Sequence, residues 1–169
     1  ARIALMMGER DGRRFAERLT RTLKTVERHY AGLFEKSPEL TAGGNLVFTA
    51  TAVSIGKAAS RIEKAVAAKH GVSSRVIVLS DSELAAIMKA NPLVEVAGNP
   101  SRLFVTVLAD PADRSRLKPV LRKEWAPDTL AVGARAAYLW CPRGIHESRL
   151  YEAVARLLGD AATTRNWAT

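Results

Sequence analysis

Arg165, Asn166 and Trp167 lie in the closing run Thr163-Thr164-Arg165-Asn166-Trp167-Ala168-Thr169, which groups two hydroxyls, a guanidinium, an amide and an indole. Such a set suits anion recognition. A guanidinium pairs bidentately with phosphate or carboxylate, and an amide both donates and accepts. With Trp167 packed on the core and Arg165 and Asn166 facing a cleft, the three become candidates for ligand binding, with Asn45 on a hairpin nearby. The plainer alternative has Trp167 anchoring the terminus while its neighbours cap a helix. On both readings the run is expected to be ordered and to fold back against the body.

A second set is basic. On a wheel of about 100° per residue, Arg10, Arg14, Arg18, Arg21 and Arg28 cluster opposite the apolar residues of the same helix, and Lys57, Arg61 and Lys64 do so on the next helix. If both helices lie on one side of a sheet, the stripes merge into one polyanion-binding surface. Arginine in place of lysine on the first helix favours phosphate as the partner. The competing reading is a solvated outer face, with Glu17–Arg21 and Glu9–Arg13 as i,i+4 pairs.

Elsewhere the residues that carry chemistry are scattered. His29, His70 and His146 form no metal motif, and the sequence has no HExxH or CxxC spacing, no Walker sequence and no G-x-S-x-G. Cys141 precedes Pro142 and Arg143, and a guanidinium beside a thiol can stabilise the thiolate. A phosphatase-like C-x5-R would place arginine where Glu147 stands, so a buried thiol without a role is the simpler reading. His146, Glu147 and Ser148 are adjacent, and neighbours on a helix point in different directions. No catalytic residue, metal site or cofactor is assigned.

The elements that position these groups follow from periodicity. Ile3 to Met7 reads as a buried strand ended by Gly8. Phe15, Leu19, Leu23, Val26, Tyr30 and Leu33 place a helix over Asp11 to Glu35. A weak strand at Glu39 to Ala42 and a stronger one at Leu46 to Phe48 flank Gly43-Gly44-Asn45, residues that tolerate the positive φ of a tight hairpin turn. Ser54 caps a helix to Lys69 whose inner face is Ala58, Ala59, Ile62, Ala65 and Val66. A strand at Val76 to Leu79 follows, then a short helix to about Ala90, opened by a Ser80/Glu83 capping box.

Val94 to Ser101 links to a second series. It runs from a strand at Leu103 to Leu108, through a helix that Pro119 shortens, kinks or breaks, to a hairpin across Gly133-Ala134-Arg135. A helix from about His146 to Leu158 comes next and stops at Gly159. The order strand, helix, hairpin, helix thus occurs twice. It predicts an α+β fold of two ferredoxin-like (βαββα-type) halves with antiparallel sheets, joined by a short helix and loop, with residues 1–90 forming one half and 91–169 the other.

Composition agrees with a globular chain. Of 169 residues, 47% are hydrophobic and 25% charged, and no apolar run approaches the roughly 18–20 residues that span a bilayer. One cysteine rules out an intramolecular disulfide, so a cytoplasmic location and no membrane partner are expected. The net charge of +9 points toward nucleic acid or another polyanion. With 6% aromatics and none on the first strand, a base-stacking sheet face of the RRM kind is disfavoured.

Arg2-Ile3-Ala4-Leu5-Met6-Met7-Gly8, Gly44-Asn45-Leu46-Val47-Phe48, Tyr138-Leu139-Trp140 with Gly144-Ile145, and Thr164-Arg165-Asn166-Trp167 occur in order. Together they resemble the bacterial family catalogued as domain of unknown function 1697. The resemblance implies a small cytoplasmic α+β protein with ferredoxin-like units, and it supplies no activity, substrate or cofactor. Where the family carries a glycine-rich, arginine-containing turn after the first strand, this chain has Gly8-Glu9-Arg10-Asp11-Gly12.

The leading expectation is a noncatalytic protein that binds a polyanion, either nucleic acid or a phosphate-rich ligand, through its arginine-rich helix face. The alternative is a small hydrolase or transferase acting on a phosphorylated or acidic substrate near Asn45, Arg165 and Asn166. A third is an oligomerisation module pairing through open strand edges. The oligomeric state is left open.

Overall fold

A computed structural model of the chain describes residues 2–7, 39–40, 46–49, 55–70, 73 and 75–168. The predicted helix over Asp11 to Glu35 and the predicted turn at Gly43-Gly44-Asn45 lie outside these residues. The fold is mixed α+β with antiparallel sheets, and it divides into two compact units, Ala1–Ala85 and Ala86–Thr169.

In the first unit β1 (Arg2–Met7), β2 (Glu39–Leu40), β3 (Leu46–Thr49) and β4 (Val76–Ser80) form a sheet of order β2-β3-β1-β4, antiparallel at every pairing. Leu46 to Phe48 is therefore strand, with Leu46 and Val47 paired to β2 and Phe48 to Ile3 of β1. Helix α1 (Ile55–His70) joins β3 to β4. Ala58, Ile62 and Val66 are buried along it, at the spacing of four that makes one stripe. Glu63 Oε1 accepts a 2.8 Å hydrogen bond from the backbone N–H of Val76, so the helix holds the first residue of the strand that follows.

Helix α2 (Asp81–Lys89) opens with the expected capping box. Ser80 N–H donates to Glu83 Oε2 at 2.9 Å, and Glu83 N–H donates to Ser80 Oγ at 3.2 Å. The helix stops before Asn91-Pro92, where Asn91 Oδ1 accepts from Leu93 N–H at 3.0 Å and turns the chain.

The second unit repeats the strand order. Strands β5 (Leu103–Leu108), β6 (Thr129–Val132), β7 (Ala136–Trp140) and β8 (Ala162–Asn166) are arranged β6-β7-β5-β8, again antiparallel throughout. Pro111 opens a 3-10 segment to Leu117, and Pro119 falls in the first turn of the one-turn helix α3 (Lys118–Leu121). A proline there has no amide hydrogen bond to lose, so the predicted break is an orderly restart.

Helix α4 (Arg149–Leu158) begins three residues later than the apolar pattern predicts. Ser148 is its N-cap, accepting from Tyr151 N–H at 3.0 Å, and Ile145 to Glu147 form a 3-10 turn before it. It ends at Gly159, whose φ of +52° suits a residue without Cβ. Phe104, Leu108, Ala137 and Leu139 from the sheet meet Leu117, Val120, Leu150, Val154 and Leu158 in one buried core.

The sheet's other face is buried too. Val105, Val107 and Tyr138 lie on it, and the Tyr138 hydroxyl donates to Ile87 O in α2 at 2.7 Å. A tight passage follows β7 at Gly144, where φ is +109°. A Cβ at that position would collide with the Arg102 guanidinium, which donates to Arg143 O at 3.0 Å.

Candidate functional site

The closing run is a strand. β8 pairs residue by residue with β5, so Val105 faces Arg165 and Phe104 faces Asn166. Thr106 and Thr164 join their hydroxyls across the pair at 2.9 Å, and Trp167 N–H donates to Leu103 O at 2.7 Å. The run is thus folded against the body, as a sheet edge and not as a helix cap.

Strand geometry then separates two of the candidates. Successive side chains point to opposite faces, so Arg165 shares a face with Thr163 and Asn166 shares one with Thr164. Arg165 donates to Thr163 Oγ1 at 3.1 Å and to Thr164 O at 2.8 Å, bonds that stiffen the edge strand. Arg165 and Asn166 do not converge on one cleft, and Trp167 is half-buried just beyond them. Asn45 lies outside the described residues.

Of the basic stripes, Arg10, Arg14, Arg18, Arg21 and Arg28 also lie outside the described residues. Lys57, Arg61 and Lys64 are exposed on α1, four and three residues apart, on the side away from Ala58, Ile62 and Val66. Glu63, the acidic residue among them, is turned to the backbone of Val76.

Cys141 is fully buried. Its thiol donates to Ser148 Oγ at 3.4 Å, and Ser148 Oγ in turn donates to Asp128 Oδ2 at 2.8 Å. Burial pushes the thiol up to about 11, the Asp128 carboxylate adds to the rise, and the Ser148 hydroxyl offsets part of it. A thiolate at Cys141 is therefore not formed at neutral pH, because burial outweighs the Ser148 hydrogen bond and Arg143 contributes nothing to offset it. His146 is exposed, and the Cys-Ser-Asp chain includes no imidazole to serve as base. Among the described residues no group of three or more His, Cys, Asp and Glu could hold a metal ion, and no helix is long and apolar enough to cross a membrane.

A further feature lies beside α3. Trp125 is half-buried, its indole N–H donating to Val120 O at 2.8 Å. Two adjoining cavities of about 310 and 250 Å³ share Val120, Lys123 and Trp125 as a common wall. The larger continues past Glu124, Asp128 and Thr129, and the smaller runs between Pro119 and the Ala153, Arg156 and Leu157 side of α4. Lys123 Nζ stands 6.0 Å from the centre of the indole. Trp125 is the only clue in the sequence; that Lys123 and Arg156 flank it depends on how α4 packs.

A family model described as "Protein of unknown function (DUF1697)" matches residues 34–138, more than half of the chain. The chain is similar in fold to a solved structure described as conserved bacterial protein SP0830 from Streptococcus pneumoniae, with a TM-score of 0.70 and 16% identity over 98% of this chain and 92% of that one. Short segments are similar to proteins named bifunctional glutamine synthetase adenylyltransferase/adenylyl-removing enzyme. The match is 57% identical over 49 residues in Mesorhizobium japonicum and 54% over 50 residues in Brucella melitensis. These segments cover 28% and 29% of this chain, which spans only 5% of each of those relatives.

Proposed function

We propose, starting from the fact that the chain belongs to the DUF1697 family of proteins of unknown function, that it is a noncatalytic binding protein for a polyanion, nucleic acid or a phosphate-rich ligand. One observation carries this reading. The outer face of α1 presents Lys57, Arg61 and Lys64 to solvent, while the acidic residue among them is turned to the backbone. In a chain of net charge +9, such a stripe attracts phosphates at long range and releases condensed counterions on contact. The arginines at positions 10, 14, 18, 21 and 28 would extend the same surface. Cys141, the one nucleophilic thiol, is buried and protonated, which fits a role without covalent chemistry.

We read each unit as a ferredoxin-like half, with α1 crossing between β3 and β4 and α4 between β7 and β8, and we place the protein in the cytoplasm. Similarity to 5% of an adenylyltransferase's length brings no nucleotidyl transfer to this chain.

The test is fluorescence anisotropy of a labelled single-stranded oligonucleotide over a salt series, with heparin as competitor. Affinity is expected to fall steeply with salt and to vary little with base sequence. The variant Lys57→Gln/Arg61→Gln/Lys64→Gln is expected to flatten the log K against log salt slope by about 2. Affinity and slope both unchanged in this variant would overturn the reading.

A further inference from the structure

We infer that the groove beside Trp125 is a binding site for an aromatic anion of the nucleotide class. A nucleobase would lie against the indole, and its phosphate would sit between Lys123 and Arg156. The site is in the second unit and shares no residue with α1, so it stands independently of the polyanion reading.

The chemistry of the walls sets the ligand class. Trp125 is held by its bond to Val120 O and by packing against the core, and Lys123 Nζ lies over its ring at 6.0 Å, so a base that stacks there displaces the ammonium toward the phosphate. Pro119, Val120, Ala153 and Leu157 supply apolar lining around it. Lys123 and Arg156 are exposed cations lining the same cavity, one in the loop after α3 and one on α4. An apolar cleft with an aromatic plate and a few convergent charges is the usual form of a small-ligand site. Two cations select an anion, and two cations within reach of one cavity suit a phosphate dianion better than a carboxylate. Both cations line the smaller cavity, about 250 Å³, which takes the phosphate; the larger, about 310 Å³ and bordered by the Glu124 and Asp128 carboxylates, takes the base against the shared indole.

Stacking on an indole is tolerant of base identity because every base has a π-face. The site is therefore expected to discriminate weakly among nucleotides and strongly against ligands that lack either the base or the phosphate. The same chemistry can arrive as a free mononucleotide or as one nucleotide of a single strand.

Two-dimensional 15N NMR of the full chain decides the matter through its three indole N–H signals, with Trp125 assigned from a Trp125→Phe sample. Adenosine 5′-monophosphate is expected to shift the Trp125 signal and leave those of Trp140 and Trp167 in place. Adenosine and ribose 5-phosphate are each expected to bind at least about tenfold more weakly. Lys123→Gln/Arg156→Gln, a change at two exposed positions, is expected to weaken the nucleotide about tenfold while the spectrum stays that of the folded protein. Trp125→Leu is expected to weaken it by a similar factor through lost stacking.

A short oligoadenylate that shifts the same signal more tightly than the mononucleotide identifies the source as a strand; the reverse order identifies a free nucleotide. No shift at millimolar nucleotide, equal binding of adenosine, or undiminished binding to the Lys123/Arg156 variant would each overturn the proposal.

Discussion

Helices α1 and α4 occupy the same place in a repeated strand order, and they are held in different ways. α1 is anchored by Ala58, Ile62 and Val66 and by one carboxylate, Glu63, reaching the first amide of β4. α4 is anchored by larger residues, Leu150, Val154 and Leu158, and by Ser148, whose hydroxyl serves the helix N-terminus, the Cys141 thiol and Asp128 together. Their outer faces differ as well. Basic residues dominate the outer face of α1, whereas Glu152 sits between Arg149 and Arg156 on α4. Repeating a strand order therefore fixes where a helix must lie. It leaves open how the helix is tied down and what its solvent side carries.

The largest expected effects are in the anchors. Ile62→Ala and Leu150→Ala each empty a fully buried site and should cost about 2–5 kcal/mol in urea unfolding. A loss below about 1 kcal/mol at Ile62 would mean that α1 is not fixed by its inner stripe, and the comparison would fail there. The polar ties come next. Ser148→Ala removes a cap and leaves Asp128 without its donor, so about 2 kcal/mol is expected, against about 1 kcal/mol for Glu63→Ala. Equal losses would deny Ser148 any role beyond capping.

The thiol sharpens the contrast further, because the network at the start of α4 contains a group that titrates. The Cys141 pKa is raised to about 11, from an ordinary 9.0, so the folded state holds the proton more tightly than the unfolded one. Its contribution is complete below about pH 9 and is lost as pH rises through about 11, roughly 1 kcal/mol being gone at pH 10. Tyr138, also raised by burial, acts in the same direction. Denaturant melts from pH 8 to 11 should show this decline, and iodoacetamide at pH 8 should label Cys141 only after unfolding.

The smallest effect on stability belongs to the outer faces. Glutamine at Lys57, Arg61 and Lys64, or at Arg149 and Arg156, should change unfolding by no more than about 0.5 kcal/mol. Yet the first set should alter the salt slope of oligonucleotide binding by about 2 and the second by less than about 1. Slopes that respond equally would show that the two faces do not differ in the property that matters.

What the sequence revealed was local. The Ser80/Glu83 box, the four-residue stripe of α1, the apolar run of β5 and the stop at Gly159 each depend on residues a few positions apart, and each is where the pattern puts it. β8 was not legible as a strand. Thr163, Thr164, Arg165 and Asn166 have no apolar alternation, and the segment is extended because β5 pairs with it and Thr106 meets Thr164. For the same reason Arg165 and Asn166 looked like partners in sequence and lie on opposite faces in the fold. The Trp125 groove was illegible for a related reason: Lys123, in the loop after α3, and Arg156, on α4, line one cavity only when α4 packs beside α3. Position along the chain said nothing of the Ser148 bond to Asp128 either.

That last bond gives the protein a built-in spectroscopic reporter. The Ser148 hydroxyl accepts from Tyr151 N–H and from the Cys141 thiol, which leaves its own hydrogen one direction, toward Asp128 Oδ2 at 2.8 Å. Most serine hydroxyl hydrogens trade with water too fast to be seen by magnetic resonance. This one, on a residue 6% exposed, should give a resolved signal of its own. Asp128 stands just before β6, Cys141 just after β7, and Ser148 at the head of α4, so the signal exists only while all three are in place. Its exchange rate would time the parting of hairpin and helix, from a single hydrogen atom.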